Sequence, residues 1–259
     1  MVNKIKILGC NGTKGMKGGT TAFQLNADHV IDAGNLLRPL GEAVAEITTV
    51  WLTHSHLDHI VDIAYILDTH FSKRKCSLVV RGLPETIEAL KKHFLNDLIW
   101  PDFSKINLLD NKTKALVYEP IEIGTVYSLD ASLSLEAYET DHTVASCGYI
   151  VTQNEKAILI TADTYDLSGV VAILKKREEI KTAVVECSFP SSMSTLARES
   201  KHLTPELLFK GLKSLEKKGI NLKIHHIKPL YRKIICDEIS LKQGAWKVQV
   251  LEDGENIHF

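Results

Sequence analysis

The chain has 259 residues, 44% of them apolar, enough to bury the core of one large mixed α/β domain. Its 31 Lys and Arg against 32 Asp and Glu leave a formal net charge of −1, which argues against a broad nucleic-acid-binding face. No apolar run reaches membrane-spanning length, and five cysteines, an odd number with no C-x-x-C, fit free thiols in a reducing compartment.

Lys4 to Leu8 has a strand pattern and lacks the apolar stretch and cleavage site of a signal peptide, so a cytoplasmic protein is expected. The glycine-rich turn Gly9 to Gly19 spells neither a P-loop nor a dinucleotide fingerprint, and packing near a site accounts for it better than phosphate binding. Strand patterns continue at Thr20 to Leu25 and His29 to Ile31. Asp32-Ala33-Gly34 is a turn, Leu36 to Glu46 is expected to be helical, and Thr49 to Leu52 is a buried strand. That strand runs into Thr53-His54-Ser55-His56-Leu57-Asp58-His59, and helical spacing resumes from Ile60 to Leu67.

This H-x-H-x-D-H run places four metal-binding side chains within six residues at the end of a strand, where a rigid scaffold can aim them together. Imidazole with carboxylate suits zinc, manganese or iron. His54 and His56 can reach one ion while Asp58 and His59 reach a second, the pattern of a two-metal hydrolytic site; a single ion is the alternative.

Downstream, Ser77 to Arg81 is a strand and Pro84 to Asn96 a helix with Ile87, Leu90 and Phe94 on one face. Strand spacing returns at Leu116 to Tyr118, Val126 to Leu129, Ser134 to Tyr138, Gly148 to Val151 and Ala157 to Ile160. A helix follows over Leu167 to Lys176 and a strand over Thr182 to Val185. Thr204 caps a helix opening at Pro205, and Asn221 to Ile227 is a strand carrying His225 and His226. Strand runs flanked by helices in each half, without a linker, predict two sheets face to face with helices outside, in a single domain over 1–259.

Further ligand candidates stand at later strand ends: His142 in Thr140-Asp141-His142, Asp163, whose two oxygens could bridge two ions, and His226. In this order and spacing the chain resembles the metallo-β-lactamase superfamily. The resemblance implies an αββα sandwich with His54, His56 and His142 on one ion, Asp58, His59 and His226 on the other, and Asp163 bridging. His226 rather than His225 is taken because His226-Ile227-Lys228-Pro229 matches the superfamily's late H-x-K-P element. A narrower resemblance, to class II 3′,5′-cyclic nucleotide phosphodiesterases, rests on the stretch from Ile87 through His93-Phe94 and Asn96 to Ile99-Trp100-Pro101-Asp102-Phe103. Glu186-Cys187-Ser188-Phe189, His202-Leu203-Thr204-Pro205 and the H-x-K-P element also carry it. Two departures are Val61-Asp62-Ile63-Ala64 in place of a small-residue run, and Ala162-Asp163-Thr164 in place of Gly-Asp-Thr, which keeps the ligand.

The resemblance implies hydrolysis of a 3′,5′-cyclic nucleotide (cAMP or cGMP) to the 5′-nucleotide. Two divalent ions, zinc first with Mn2+ or Fe as alternatives, would neutralise the phosphate and lower the pKa of a water from ~15.7 towards ~7. Asp58, Glu186 and His202 are the candidate catalytic residues, with His202 protonating the leaving 3′-oxygen and Glu186 orienting it; the alternative is that the pair merely ties a loop to a helix. Trp100 and Phe103 could stack a base, but packing is the stronger expectation. Cys187 is expected to be buried near the site, while Thr140, Asp141 and Ser146 either orient His142 or anchor its loop. The alternatives are ribonuclease Z-like RNA processing, which would want a basic face, and a metal-binding protein without catalysis. A homodimer is compatible with the chain.

Overall fold

The computed structural model describes residues 4–258. Lys4–Gly9 (β1), Ala22–Gln24 (β2), His29–Ile31 (β3), Thr49–Trp51 (β4), Leu78–Gly82 (β5) and Leu116–Pro120 (β6) lie side by side in chain order. Val126–Ser128 (β7), Leu133–Glu139 (β8), Cys147–Gln153 (β9), Lys156–Ile160 (β10), Ile180–Glu186 (β11), Asn221–His225 (β12) and Lys247–Val250 (β13) form a second sheet of seven strands. The last strand, Asn256–His258 (β14), returns to pair antiparallel with β1. In both sheets the pairing changes sense part-way. β1 to β3 and β7 to β10 run antiparallel to their neighbours, whereas β3 to β6 and β10 to β13 are parallel.

Strand alternation separates three apolar layers. Ile5, Ile7, Phe23, Ile31 and Trp51 face Leu135, Tyr149, Val151, Ile158, Ile160 and Val184 across the sandwich interior. The outer face of the first sheet, with Leu8, Val30, Val50 and Val80, is covered by Leu57–Thr69 (α2) and Pro84–His93 (α3), with Leu37–Leu40 (α1) alongside. Leu159, Ala183, Val185 and Ile224 face the other way, under Ser168–Lys176 (α4), Pro205–Leu212 (α6) and Arg232–Lys242 (α7). The short helix Ser194–Glu199 (α5) precedes α6. This is the αββα sandwich expected of the chain. Among the described residues no helix is long and apolar enough to cross a membrane.

Three expectations need correction. The helix expected over Leu36 to Glu46 is one α-turn, α1, followed by a tighter 3-10 segment, because Gly41 takes φ 53° and breaks the ladder. The strand expected to run to Ile227 stops at His225, since His226 turns into the left-handed region at φ 59°. The helix expected to reach Asn96 ends at His93. The helix capped by Thr204 forms as read: its hydroxyl accepts from Leu207 N, and Pro205 opens the first turn.

The parallel pairing decides where chemistry can occur. β3, β4, β10, β11 and β12 all end on one edge of the sandwich, and the segments leaving those ends carry polar side chains into a common crevice. Asp32, just past β3, also adopts a left-handed conformation, at φ 57°. Such residues cost about 1–3 kcal/mol each. A single fully buried Leu, Ile or Val contributes about 1.5–3 kcal/mol, so the sandwich core sustains both strained positions.

Candidate metal centre

His54 leaves the end of β4, and His56 is the N-cap of α2, whose first turn carries Asp58 and His59. Asp163 follows β10, and His226 follows β12. His142 lies in the connection between β8 and β9. The fold brings all seven predicted ligands together in two groups. In the first, His54 Nε2 and His142 Nε2 lie 3.0 and 3.1 Å from His56 Nδ1, and 3.7 and 3.8 Å from Asp163 Oδ2. In the second, His226 Nε2 is 3.2 Å from His59 Nε2, 3.4 Å from Asp58 Oδ2 and 3.2 Å from Asp163 Oδ1. Asp163 thus lies between the groups, with Oδ1 towards His226 and Oδ2 towards His54, His142 and, at 3.6 Å, His59.

Hydrogen bonding on the far side of each ring shows what converges. His142 Nδ1 lies 3.1 Å from the carbonyl of Lys201, which can only accept, so Nδ1 carries the proton and Nε2 presents a bare lone pair. His59 Nδ1 is held by the buried carboxylate of Asp32 at 2.8 Å, and His54 Nδ1 sits 3.0 Å from the Thr53 hydroxyl, itself bonded to Asp32. Lone pairs so arranged repel unless a cation lies between them. Asp163 Oδ1 is buried and makes no hydrogen bond. Neutral imidazoles around buried carboxylates are the donor set of a divalent transition metal, and these residues fit such ions.

The electrostatics agree. Burial pushes the pKa of His54 and His56 down, and that of His142 to about 4, leaving these rings neutral. Burial also opposes charge on His59, but the carboxylates of Asp32 and Asp163 outweigh it and raise its pKa. Asp163 is the converse: burial favours its neutral form, yet the surrounding imidazoles, His226 and His59 foremost, hold it well below the carboxylate range. The cluster's own charges therefore draw in a proton that a metal ion would displace.

A second carboxylate system borders this cluster. Glu186, fully buried at the end of β11, accepts from His202 Nδ1 at 3.0 Å through Oε1. The same oxygen accepts from Leu203 N at 3.1 Å and Thr164 N at 3.2 Å. Burial lowers the His202 pKa, but the Glu186 charge and hydrogen bond outweigh it and bring it above the usual histidine value. His202 also lies beside Asp163 and His226.

Residues 26–233 match the family model for class-II cAMP phosphodiesterases. The chain belongs to that family. It is 26% identical over 232 residues to 3′,5′-cyclic-nucleotide phosphodiesterase 1 of Saccharomyces cerevisiae, covering 76% of this chain and 60% of that one. The chain therefore spans about 60% of the length of that relative. The crystal structure of unliganded yeast PDE1 superposes with a TM-score of 0.81 at 20% identity, over 100% of both chains. The metallo-β-lactamase fold protein YhfI of Bacillus subtilis superposes at 0.74 and 17% identity over 99% of both.

Within this class-II fold, several residues take the less specialised of the roles considered for them. Trp100 packs edge-on to Tyr65 and Phe103 against Phe71, both on the outer core of the first sheet. Thr140 bonds Ser146, and Asp141 pairs with Lys201, contacts that tie down the loop of His142. Cys187 is buried in the second outer core. His225 stays on the strand, edge-on to Phe23, and burial lowers its pKa to about 3. The glycine-rich turn packs against the cluster: a Cβ on Gly12 would lie 2.2 Å from the His226 carbonyl and 2.6 Å from its Nδ1. On the other side, a Cβ on Gly34 would lie 2.0 Å from the Asp58 carbonyl.

Sequence reasoning missed Asp32, Thr53, Ser188 and the Lys201 carbonyl. Asp32 read as a turn residue, and its one local signal is an Asp immediately after a strand. Lys201 contributes main-chain oxygen, and no residue type signals that.

Proposed function

We propose that this protein is a cytoplasmic, metal-dependent phosphodiesterase. Acting as one hydrolase domain over residues 1–259, it cleaves 3′,5′-cyclic nucleotides to 5′-nucleotides. The observation that carries the reading is the Glu186–His202 pair placed against a convergent His/Asp cluster, in a chain of the class-II family.

His54, His56 and His142 would hold one ion and Asp58, His59 and His226 a second, with Asp163 between them; zinc best suits this donor set. When bound, such ions supply positive charge against the phosphate and acidify a water to serve as nucleophile. The protein's own residues do the rest. Asp58 keeps part of its carboxylate exposed, with a side-chain accessibility of 27%, and so would be open to a nucleophilic water as well as to an ion. His202 donates its proton to the leaving 3′-oxygen, a poor leaving group as an alkoxide. Glu186 acts through His202, fixing the ring and keeping it protonated. Burial of Glu186 and its three donors on Oε1 allow it little other motion.

The test is a substrate panel of cyclic AMP, cyclic GMP, 2′,3′-cyclic nucleotides and pre-tRNA, run with and without chelator and with metal content measured. Chelator-sensitive turnover of a 3′,5′-cyclic nucleotide is the expected result. Processing of pre-tRNA without turnover of any cyclic nucleotide would replace the reading with ribonuclease Z-like chemistry.

A further inference from the structure

Ser188 lies two residues beyond Glu186 and is fully buried. Its hydroxyl sits at the meeting point of the two polar systems described above. Oγ is 2.9 Å from Glu186 Oε2, 2.9 Å from His226 Nδ1, 3.1 Å from His202 Nδ1 and 3.1 Å from the His226 carbonyl. A hydroxyl has one proton to give and two lone pairs to receive with. Of its acceptors, the carboxylate forms the stronger, charge-assisted bond.

His226 settles the direction. Its Nε2 faces Asp58, Asp163 and His59, so a metal-binding His226 must carry its proton on Nδ1. That proton points at Ser188. The polar chain then runs one way, from His226 Nδ1–H to Ser188 Oγ and from Ser188 O–H to Glu186 Oε2. The other carboxylate oxygen, Oε1, receives His202 Nδ1–H.

We propose that Ser188 is a positioning residue that joins ligand and acid: through its hydroxyl the buried carboxylate of Glu186 sets the tautomer of His226, while the other oxygen of the same carboxylate orients His202 directly. The arrangement parallels the first sheet, where the Thr53 hydroxyl stands between Asp32 and His54 Nδ1. In the first sheet both supported rings are metal-ligand candidates, whereas Ser188 connects one ligand to one acid. The proposal deepens the phosphodiesterase reading, resting on it for the role of His202. Its consequences for metal binding need no substrate.

Three measurements test it. Zinc affinity, read by competition with a chromogenic chelator, should fall by roughly 10–100-fold in Ser188→Ala, while Ser188→Thr, which keeps the hydroxyl, should stay near wild type. Glu186→Gln should also weaken zinc binding although Glu186 touches no ligand directly, and it should add no further loss in the Ser188→Ala background. A folded Ser188→Ala protein with wild-type zinc affinity, or losses that simply add in the double variant, would overturn the proposal. Should Ser188→Ala fail to fold, the wild type decides: nitrogen-15 NMR of the zinc-loaded protein should show His226 protonated at Nδ1, and protonation at Nε2 would refute it. If these results hold but no cyclic nucleotide is cleaved, the phosphodiesterase reading fails and the structural link stands.

Discussion

Asp32 of the first sheet and Glu186 of the second are buried carboxylates that stand behind the ligand rings, and they are used differently. Asp32, past the end of β3, spends both oxygens on the strand-end motif: Thr53 N and Oγ1, and His59 Nδ1. Everything it steadies is a ligand candidate or a neighbour of one. Glu186, at the end of β11, divides its oxygens between Ser188, which faces His226, and His202. On the proposed reading, Asp32 would serve metal affinity alone, whereas Glu186 would join a ligand to a proton donor. Substitutions at corresponding places should therefore have unlike consequences.

The largest effect is expected where the two systems share an atom pair. Asp163 faces His54, His59 and His142 with one oxygen and His226 with the other. Asp163→Ala should lose metal from both groups and reduce activity to background, with metal per chain measured by elemental analysis. Next comes Asp32→Asn, which removes the charge behind His59. Zinc affinity should drop by roughly 10–100-fold, with activity restored by excess zinc; activity lost at full metal occupancy would give Asp32 a role beyond ligand support.

His202→Ala probes the other side. The protein should retain its metal while kcat falls by roughly 10²–10⁴-fold, the range for a positioned acid. A p-nitrophenyl phosphodiester, whose leaving group needs no proton, should lose much less. Equal losses on both substrates, with lowered thermal stability, would make His202 a structural peg. A smaller change is expected from Glu186→Gln. An acid is active below its pKa, so activity limited by His202 declines as pH rises through that value. Glu186 holds the value up; without its charge the alkaline limb of the kcat profile should move to lower pH. A limb that stays in place would separate Glu186 from proton donation.

The smallest catalytic effect is expected away from both carboxylates. Phe103 is 5% exposed and packs against Phe71 in the outer core of the first sheet. Phe103→Ala should lower thermal stability by about 3–5 kcal/mol and leave KM for cyclic nucleotide unchanged. A raised KM without lost stability would restore base stacking as its role.

Legibility varied with the range of the interaction. The H-x-H-x-D-H run could be read because strand, turn and helix N-terminus are contiguous, and each side chain carries its own chemistry. Thr204 and Pro205 could be read for the same reason. The helix expected over Leu36 to Glu46 is broken although apolar spacing continues through Gly41, because the positive φ of that residue ends the α-turn. Beyond Pro229 the sequence carries no motif, yet α7 covers the second sheet and β14 closes the first by pairing with β1 at the opposite end of the chain. A strand of three residues has almost no pattern of its own, and its partner supplies its reason to be extended.

Residue type and short spacing were enough to mark a candidate metal site, two sheets with helices outside and the candidates at strand ends, because those depend on local periodicity and on donors a few residues apart. The assignment of partners was tertiary. His226 leaves the strand through a left-handed turn while His225 stays on it, and the pairing of β11 with β12 brings Ser188 between Glu186 and His226. Lys201 holds His142 through a carbonyl that every residue possesses. Hydrogen bonds of this kind depend on distances of a few tenths of an ångström between segments far apart in the chain, and a linear order of side chains does not encode such distances until the core has packed.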